Sequence, residues 1–390
     1  MKYAGLTIAL LTLAACDNDR PAPLAPDSPA PSLSRNGRDA DDDDRRSDEP
    51  GVVYTMSNQT TGNSVLAFRR GADGRLSAAG SFATGGTGSG GGLGSQGALV
   101  FSRDDRFLIV VNPGSNDVST FRMNHNGLQL VGKVASGGVR PISVTSARGL
   151  VYVLNGGGTG NITGFRLNAN GVLSPLAGST RSLSGDATAP AQVEFDEWGD
   201  RLVVTEKATN VIATYKLDAA GRAEAGVFSP SSGQTPFGFA FRNNVLIVSE
   251  AFGGAPNASV SSSYRILSNG SLGVISGSVP TTETAACWIV VTGNGRYAYA
   301  SNTASGTITG YGVSPIGRLE RLDDNGETAV VGAGTGPIDM ALSENSRYLY
   351  VLNSGTETIR VLRVRSNGSL TTVDGGVDGL PNGAAGLIAK

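Results

Sequence analysis

An apolar run ending in Asn or Glu recurs seven times between residues 51 and 390, closing on Asn58, Asn112, Asn155, Glu206, Glu250, Asn302 and Asn353. The spacing is roughly 40 to 50 residues, a period at which each copy is one supersecondary unit that buries its apolar faces only against its neighbours. A second alternating strand follows each mark, as in Val211-Ile212-Ala213-Thr214-Tyr215-Lys216-Leu217, the pattern of a half-buried strand. A turn then carries Gly74, Gly127, Gly171, Gly221, Gly270, Gly317 or Gly368, where glycine supplies the positive φ of a tight hairpin. After a third strand comes a short apolar strand, at 98–101, 142–145, 192–195, 237–241, 288–291 and 338–342.

Seven marks predict seven four-stranded blades, yet only six such short strands precede a mark. The seventh is Ala384-Ala385-Gly386-Leu387-Ile388-Ala389 at the C-terminus. The expected fold is therefore all-β, a seven-bladed β-propeller over residues 51–390 whose last strand completes the first blade and removes the open sheet edges. Composition agrees: 56 Gly and 16% charged residues describe turns and strands rather than helices.

Ahead of the repeats, Lys2, the apolar run 4–15 and Leu13-Ala14-Ala15-Cys16 read as a lipoprotein signal peptide over residues 1–16. Cys16 is the expected acylation site, and acyl chains hold a protein at a membrane without a spanning helix. The implied address is the cell envelope, with the protein membrane-anchored and facing the periplasm or the cell surface. Residues 17–50 are rich in Pro, Ala, Ser and Asp and read as a disordered tether. Within it Asp41-Asp42-Asp43-Asp44 lacks the glycine and ligand spacing of a calcium loop.

A net charge of −2 without a basic cluster excludes the electrostatic footprint of a nucleic-acid binder. His125 is the only histidine and lies in Asn124-His125-Asn126-Gly127, a turn, which excludes a histidine triad and histidine metal centres. Cys16 and Cys287 sit in unlike contexts, so no disulfide framework is expected, and Cys287 reads as a buried thiol. The glycine-rich stretch 85–94 has neither a following helix nor a lysine and reads as a flexible rim loop rather than a phosphate cradle.

The segments Tyr152-Val153-Leu154-Asn155 and Tyr350-Val351-Leu352-Asn353, set in seven such units, resemble the YVTN and lactonase-like propellers. That group includes 6-phosphogluconolactonase-like and carboxymuconate-lactonising enzymes. The resemblance spans residues 51–390 and implies a possible lactone hydrolase or isomerase. The histidines of the phosphogluconolactonase-like pattern are absent here, where Pro190-Ala191-Gln192-Val193 and Thr205-Glu206-Lys207 stand.

Strand order places the marks and the inner-strand starts on one rim. Glu206 and Glu250 replace Asn in two of seven copies, which suggests a polar ligand, a cation or, for Glu206, an ion pair with Lys207. On the catalytic reading Glu206 or Glu250 activates water and Arg140 pairs with a substrate carboxylate or a developing oxyanion. Gln192, Asn112, Asn155, Asn302 and Asn353 are the expected ligand-binding positions; for the asparagines local turn chemistry is the competing reading. No cofactor and no metal site is predicted, with a divalent cation in the channel left as an alternative. The second functional class is a non-catalytic, monomeric propeller presenting its rim to a small molecule, glycan or protein.

Overall fold

The computed structural model describes residues 49–390; the expected signal peptide and Cys16, and the tether to residue 48, lie outside the described residues. Seven antiparallel sheets form the blades. In blade 1 the C-terminal strand Ala385–Ala389 is innermost, paired with Gly51–Met56 (Tyr54 opposite Ile388, Met56 opposite Ala385). The ring is thus closed by the strand expected to close it. Blades 2 to 7 run from inner strands Leu99–Phe101, Pro141–Ala147, Pro190–Phe195, Pro236–Arg242, Ala286–Val291 and Pro337–Leu342 outward. In blades 3 and 6 the outermost strand is broken into two short pieces.

The second strand of each blade is covered on both faces by neighbouring blades, which explains its continuous apolar sequence. Phe107–Asn112, Leu150–Asn155, Val245–Glu250 and Tyr348–Asn353 are buried at every residue. Each large side chain so buried stabilises the fold by about 1.5–3 kcal/mol. The seven turn glycines all have positive φ, between 81° and 114°. Their missing side chains are also contacts between blades. A Cβ on Gly74 would lie 2.3 Å from the Tyr348 ring, one on Gly171 2.4 Å from Phe107, and one on Gly368 2.5 Å from Tyr297.

The tyrosine of the repeat joins blade to blade at the same turn. Tyr152 donates to Gly221 O at 2.8 Å and Tyr299 to Gly368 O at 2.8 Å. Tyr350 donates to Gly74 O at 3.0 Å, making the same contact across the ring closure. Burial pushes the Tyr152 phenol up to about 12, so it stays a donor.

Candidate functional site

The upper face carries the marks and the starts of the inner strands; the lower face carries the turn glycines. Five of the seven upper-face corners, those of blades 3 to 7, are built in the same way. The mark lies opposite the residue that opens the inner strand: Asn155 opposite Pro141, Glu206 opposite Pro190, Glu250 opposite Pro236, Asn302 opposite Ala286 and Asn353 opposite Pro337. The residue before each opener is left-handed: Arg140 (φ 53°), Ala189 (46°), Thr235 (58°), Ala285 (59°) and Gly336 (56°). Its carbonyl accepts from the N–H that follows the mark, as from Gly156 to Arg140 (2.8 Å) and from Ala251 to Thr235 (3.0 Å). For non-glycine residues this conformation is unfavourable and is held by surrounding structure. At Arg140 the hold comes from its own N–H, which donates to Asn116 Oδ1 at 2.7 Å.

Four of the asparagine marks, those of blades 2, 3, 6 and 7, close the hairpin that follows them. Asn112 Nδ2 donates to Asp117 Oδ1 (2.7 Å) and Ser119 Oγ (2.8 Å). Asn302 does so to Thr307 and Thr309, Asn353 to Thr358, and Asn155 to Asn161. In each case an oxygen-bearing side chain sits directly across the hairpin. Opposite Glu206 and Glu250 stand Val211 and Val260. With no acceptor there, a carboxylate takes the place of the amide and the polarity reverses. Glu206 accepts from Ser184 N (3.0 Å), the Ser184 hydroxyl and Thr209 Oγ1 (2.9 Å). Glu250 accepts from Ser231 Oγ (2.6 Å), Gly233 N (2.9 Å), Tyr264 Oη (2.9 Å) and Ser262 Oγ (2.6 Å). Both carboxylates are fully buried, and each is enclosed by donors of its own set. The structure therefore does not bring them together.

The centre of the upper face is filled by residues 93–97. Ser95 Oγ donates to Ile142 O (2.8 Å), Gln96 N to Ala191 O (3.1 Å), and Trp288 Nε1 to Ser95 O (2.9 Å). The segment thus touches blades 3, 4 and 6. Gln192 makes a two-point contact with the next blade, donating to Phe239 O (2.9 Å) and accepting from Phe239 N (2.7 Å). At the equivalent place in blade 5 stands Gly238. Gln96 reaches in from the central segment instead, donating to Ile289 O (2.9 Å) and accepting from Ile289 N (3.2 Å). A Cβ on Gly238 would lie 2.1 Å from Gln96 Oε1. Between the last blade and the first, Asp339 Oδ2 accepts from Leu387 N at 3.1 Å. These contacts satisfy backbone groups that the inner strands turn toward the axis.

Beneath the segment, Leu93, Ser95, Trp288, Asp339 and Gly386 border a void of about 10 Å³, near the lower limit for a single water. A substrate bound at the upper face would sit above residues 92–96. The flexible loop expected at 85–94 is instead fastened. Asn58 Nδ2 donates to Gly91 O (2.6 Å) and its Oδ1 accepts from Ser89 N (2.9 Å), while Gly88 lies against the Asn58 backbone.

Two cations meet this strap. Lys207, buried over the Phe237 ring, donates to Gly94 O at 2.6 Å. Arg140, exposed, approaches Gly92 O at 3.4 Å. Asp339 is buried, and desolvation pushes its carboxyl up to about 8 against the pull of the Met340 and Leu387 N–H groups. Cys287 is buried at the start of the sixth inner strand. Sequence reasoning missed Gln96; the available signal was Gly238, the copy lacking a side chain where blade 4 has Gln192. Among the described residues no three His, Cys, Asp or Glu side chains converge to hold a metal ion, and no helix is long and apolar enough to cross a membrane.

The model of the family described as lactonase, seven-bladed β-propeller, matches residues 48–185 and 262–380. Among solved structures, the periplasmic gluconolactonase of Pseudomonas aeruginosa is 18% identical, with a TM-score of 0.69 over 86% of this chain and 99% of that one. A Lactobacillus plantarum protein is 16% identical, with a TM-score of 0.70 over 87% and 99%. A Bacteroides fragilis protein bearing the provisional name 6-phosphogluconolactonase is 18% identical, with a TM-score of 0.67 over 88% and 99%. No curated protein matches. Family match, blade count and ring closure agree, and the chain belongs to the lactonase family of seven-bladed β-propellers.

Proposed function

We propose that the protein is an envelope lipoprotein whose upper face binds a lactone, or the sugar acid formed from it, and opens the lactone ring. The observation that carries this reading is the pair Arg140 and Lys207, both anchored on carbonyls of one strap, Gly92 and Gly94. A cation at a developing oxyanion or product carboxylate lowers the barrier to ring opening. In the step, water adds to the lactone carbonyl and passes its proton to a carboxylate. The ring C–O bond then breaks, and the leaving alkoxide recovers that proton. Glu206, next in sequence to Lys207, and Glu250 are the carboxylates proposed for this exchange. Each holds rotatable hydroxyl donors, Ser184 and Thr209 or Ser231 and Ser262, and water would replace one of them. Gln192, Asn112, Asn155, Asn302 and Asn353 support the face from beneath. The gluconolactonase of shared fold supports the substrate class and the address.

The test is an assay of the purified protein against a panel of aldonolactones, with Arg140→Ala and Lys207→Met beside wild type. A fall of tenfold or more in kcat/KM with unchanged melting supports the reading; no turnover of any lactone by the wild type overturns ring opening. One observation favours a second reading, a non-catalytic rim for a glycan or protein: both candidate carboxylates already hold full sets of donors. A stoichiometric partner recovered from solubilised envelope, with a lactone panel left untouched, would select it.

A further inference from the structure

The lower-face turn that joins the inner strand to the second strand is one motif in blades 2, 6 and 7. Two residues after the turn opens, Asp104, Asn294 or Asn345 accepts from the opening hydroxyl of Ser102, Thr292 or Ser343 and from the backbone N–H of Arg106, Arg296 or Arg347. An aromatic residue follows the arginine: Phe107, Tyr297 or Tyr348. Blade 4 departs at all three places, carrying Trp198, Asp200 and Arg201. Its turn is closed from the opening position instead, where Asp196 Oδ1 accepts from Asp200 N (3.0 Å) and Arg201 N (3.2 Å). Trp198 is thereby released from the turn. Its indole is 55% exposed, and its N–H has no partner among the described residues.

The three departures meet in one hollow of about 280 Å³ between blades 4 and 5, which blade 5 borders with Phe241, Arg265 and Leu267. Small-molecule sites usually start at about 300 Å³, so the hollow has room for one small ring. Its walls carry both signs of charge. Arg201 donates to Ser268 O (3.1 Å), and Glu197 accepts from the N–H groups of Asn243 (3.1 Å) and Asn244 (2.6 Å). Asp200 lies beside Asp196, whose carboxyl is held above the ordinary range by desolvation and by that neighbour. Arg265 is exposed and has no side-chain partner among the described residues. An anion would face the carboxyls and a cation the guanidiniums, so the walls suit a neutral ligand whose groups both donate and accept. Trp198 adds a flat apolar face rich in π density, on which polarised C–H groups stack.

We propose that this hollow is a second binding site, which holds one hexopyranose ring of a neutral glycan with its C–H face on the Trp198 indole. Hydroxyls at the ring edge donate to Asp200 and accept from Arg265. The ligand efficiency usual for small molecules gives a ring of about 12 heavy atoms a Kd of roughly 1 mM. The site lies on the face opposite Arg140 and Lys207 and does not depend on what the upper face binds or turns over.

Trp288 is buried and its N–H is bonded to Ser95 O, so a change in indole fluorescence on adding sugar reports Trp198. Cellotetraose, maltotetraose and tetra-N-acetylchitotetraose are titrated to about 20 mM into the full-length protein in detergent, with calorimetry for the variants. At least one sugar should shift the emission saturably. Trp198→Ala should remove that binding, Trp198→Tyr should keep part of it, and Arg265→Ala should weaken it about tenfold, with melting unchanged in all three. Binding that survives Trp198→Ala, or no binding of any of the three sugars, overturns the proposal. Tighter binding of choline or of citrate at the same indole overturns it too, assigning the hollow to an ion. A wild type that opens no lactone yet binds a sugar through Trp198 supports this site and overturns ring opening at the other face.

Discussion

Tyr350 and Gly74 are 276 residues apart in sequence, and the tyrosine hydroxyl lies 3.0 Å from the glycine carbonyl. Tyr152 with Gly221 and Tyr299 with Gly368 repeat the contact at other blade junctions. Tyr350→Phe should lose about 1 kcal/mol, a fall in Tm of about 2 °C for a domain of this size, with activity unchanged. Gly74→Ala should cost several-fold more, because φ is 81° and the new Cβ would strike the Tyr348 ring. Calorimetry of the two variants checks the order.

The closing strand predicts a sharper loss. Deleting residues 384–390 removes the pairing to Gly51–Met56, the Gly386 carbonyl that accepts from Thr55 Oγ1 at 2.6 Å, and the Leu387 N–H that satisfies Asp339. The truncated chain should aggregate or melt at least 10 °C lower, as light scattering and differential scanning fluorimetry would report. Unchanged melting would contradict the closure.

The reversed polarity at Glu206 and Glu250 predicts that Asn, although common at the mark, is unfavourable in these two blades. Glu206→Asn should destabilise by about 2 kcal/mol, in line with charged hydrogen bonds lost from a buried site. Combining it with Val211→Thr restores the Asn–Thr pair of blades 6 and 7 and should recover part of the loss. A double-mutant cycle in urea measures the coupling; strict additivity would refute the account.

Asp339 gives stability a pH dependence of defined sign. Its folded-state carboxyl is raised to about 8 from an ordinary value of 3.8. The folded state therefore holds the proton more tightly than the unfolded chain. This contribution is fully present below about pH 3.8 and declines until it is lost above about pH 8. Burial raises Glu194 to about 8 as well, so the slope belongs to both groups. Asp339→Asn should flatten the fall in urea midpoint between pH 5 and 8, and an unchanged slope would remove Asp339 from it.

The membrane address is testable by fractionation. Cys16→Ala should move the protein from the membrane to the soluble envelope fraction, because it removes the acylation site; unchanged membrane association in high salt would contradict the anchor.

The blades were legible because their signals are local. Gly171 and Gly368 announce positive φ by residue type, and the apolar runs before Asn155 and Asn353 announce strands covered on both faces. The carboxylates were harder to read, because their meaning lies across a hairpin. Val211 stands five residues after Glu206, within reach of inspection, but the loop holding Phe252–Gly254 pushes Val260 ten residues from Glu250. Gln96 was hardest to read: its partner Ile289 is 193 residues away, and the one signal, Gly238 where blade 4 has Gln192, lies in a blade that contains neither residue.

Because Gln96 spans the axis to reach Ile289, with Ser95 and Trp288 packed beside it, the molecule is closer to a solid disc than to a ring. The surface bearing Arg140 and Lys207 is therefore a floor and not the mouth of a tunnel: whatever lands there must arrive and leave by the same side.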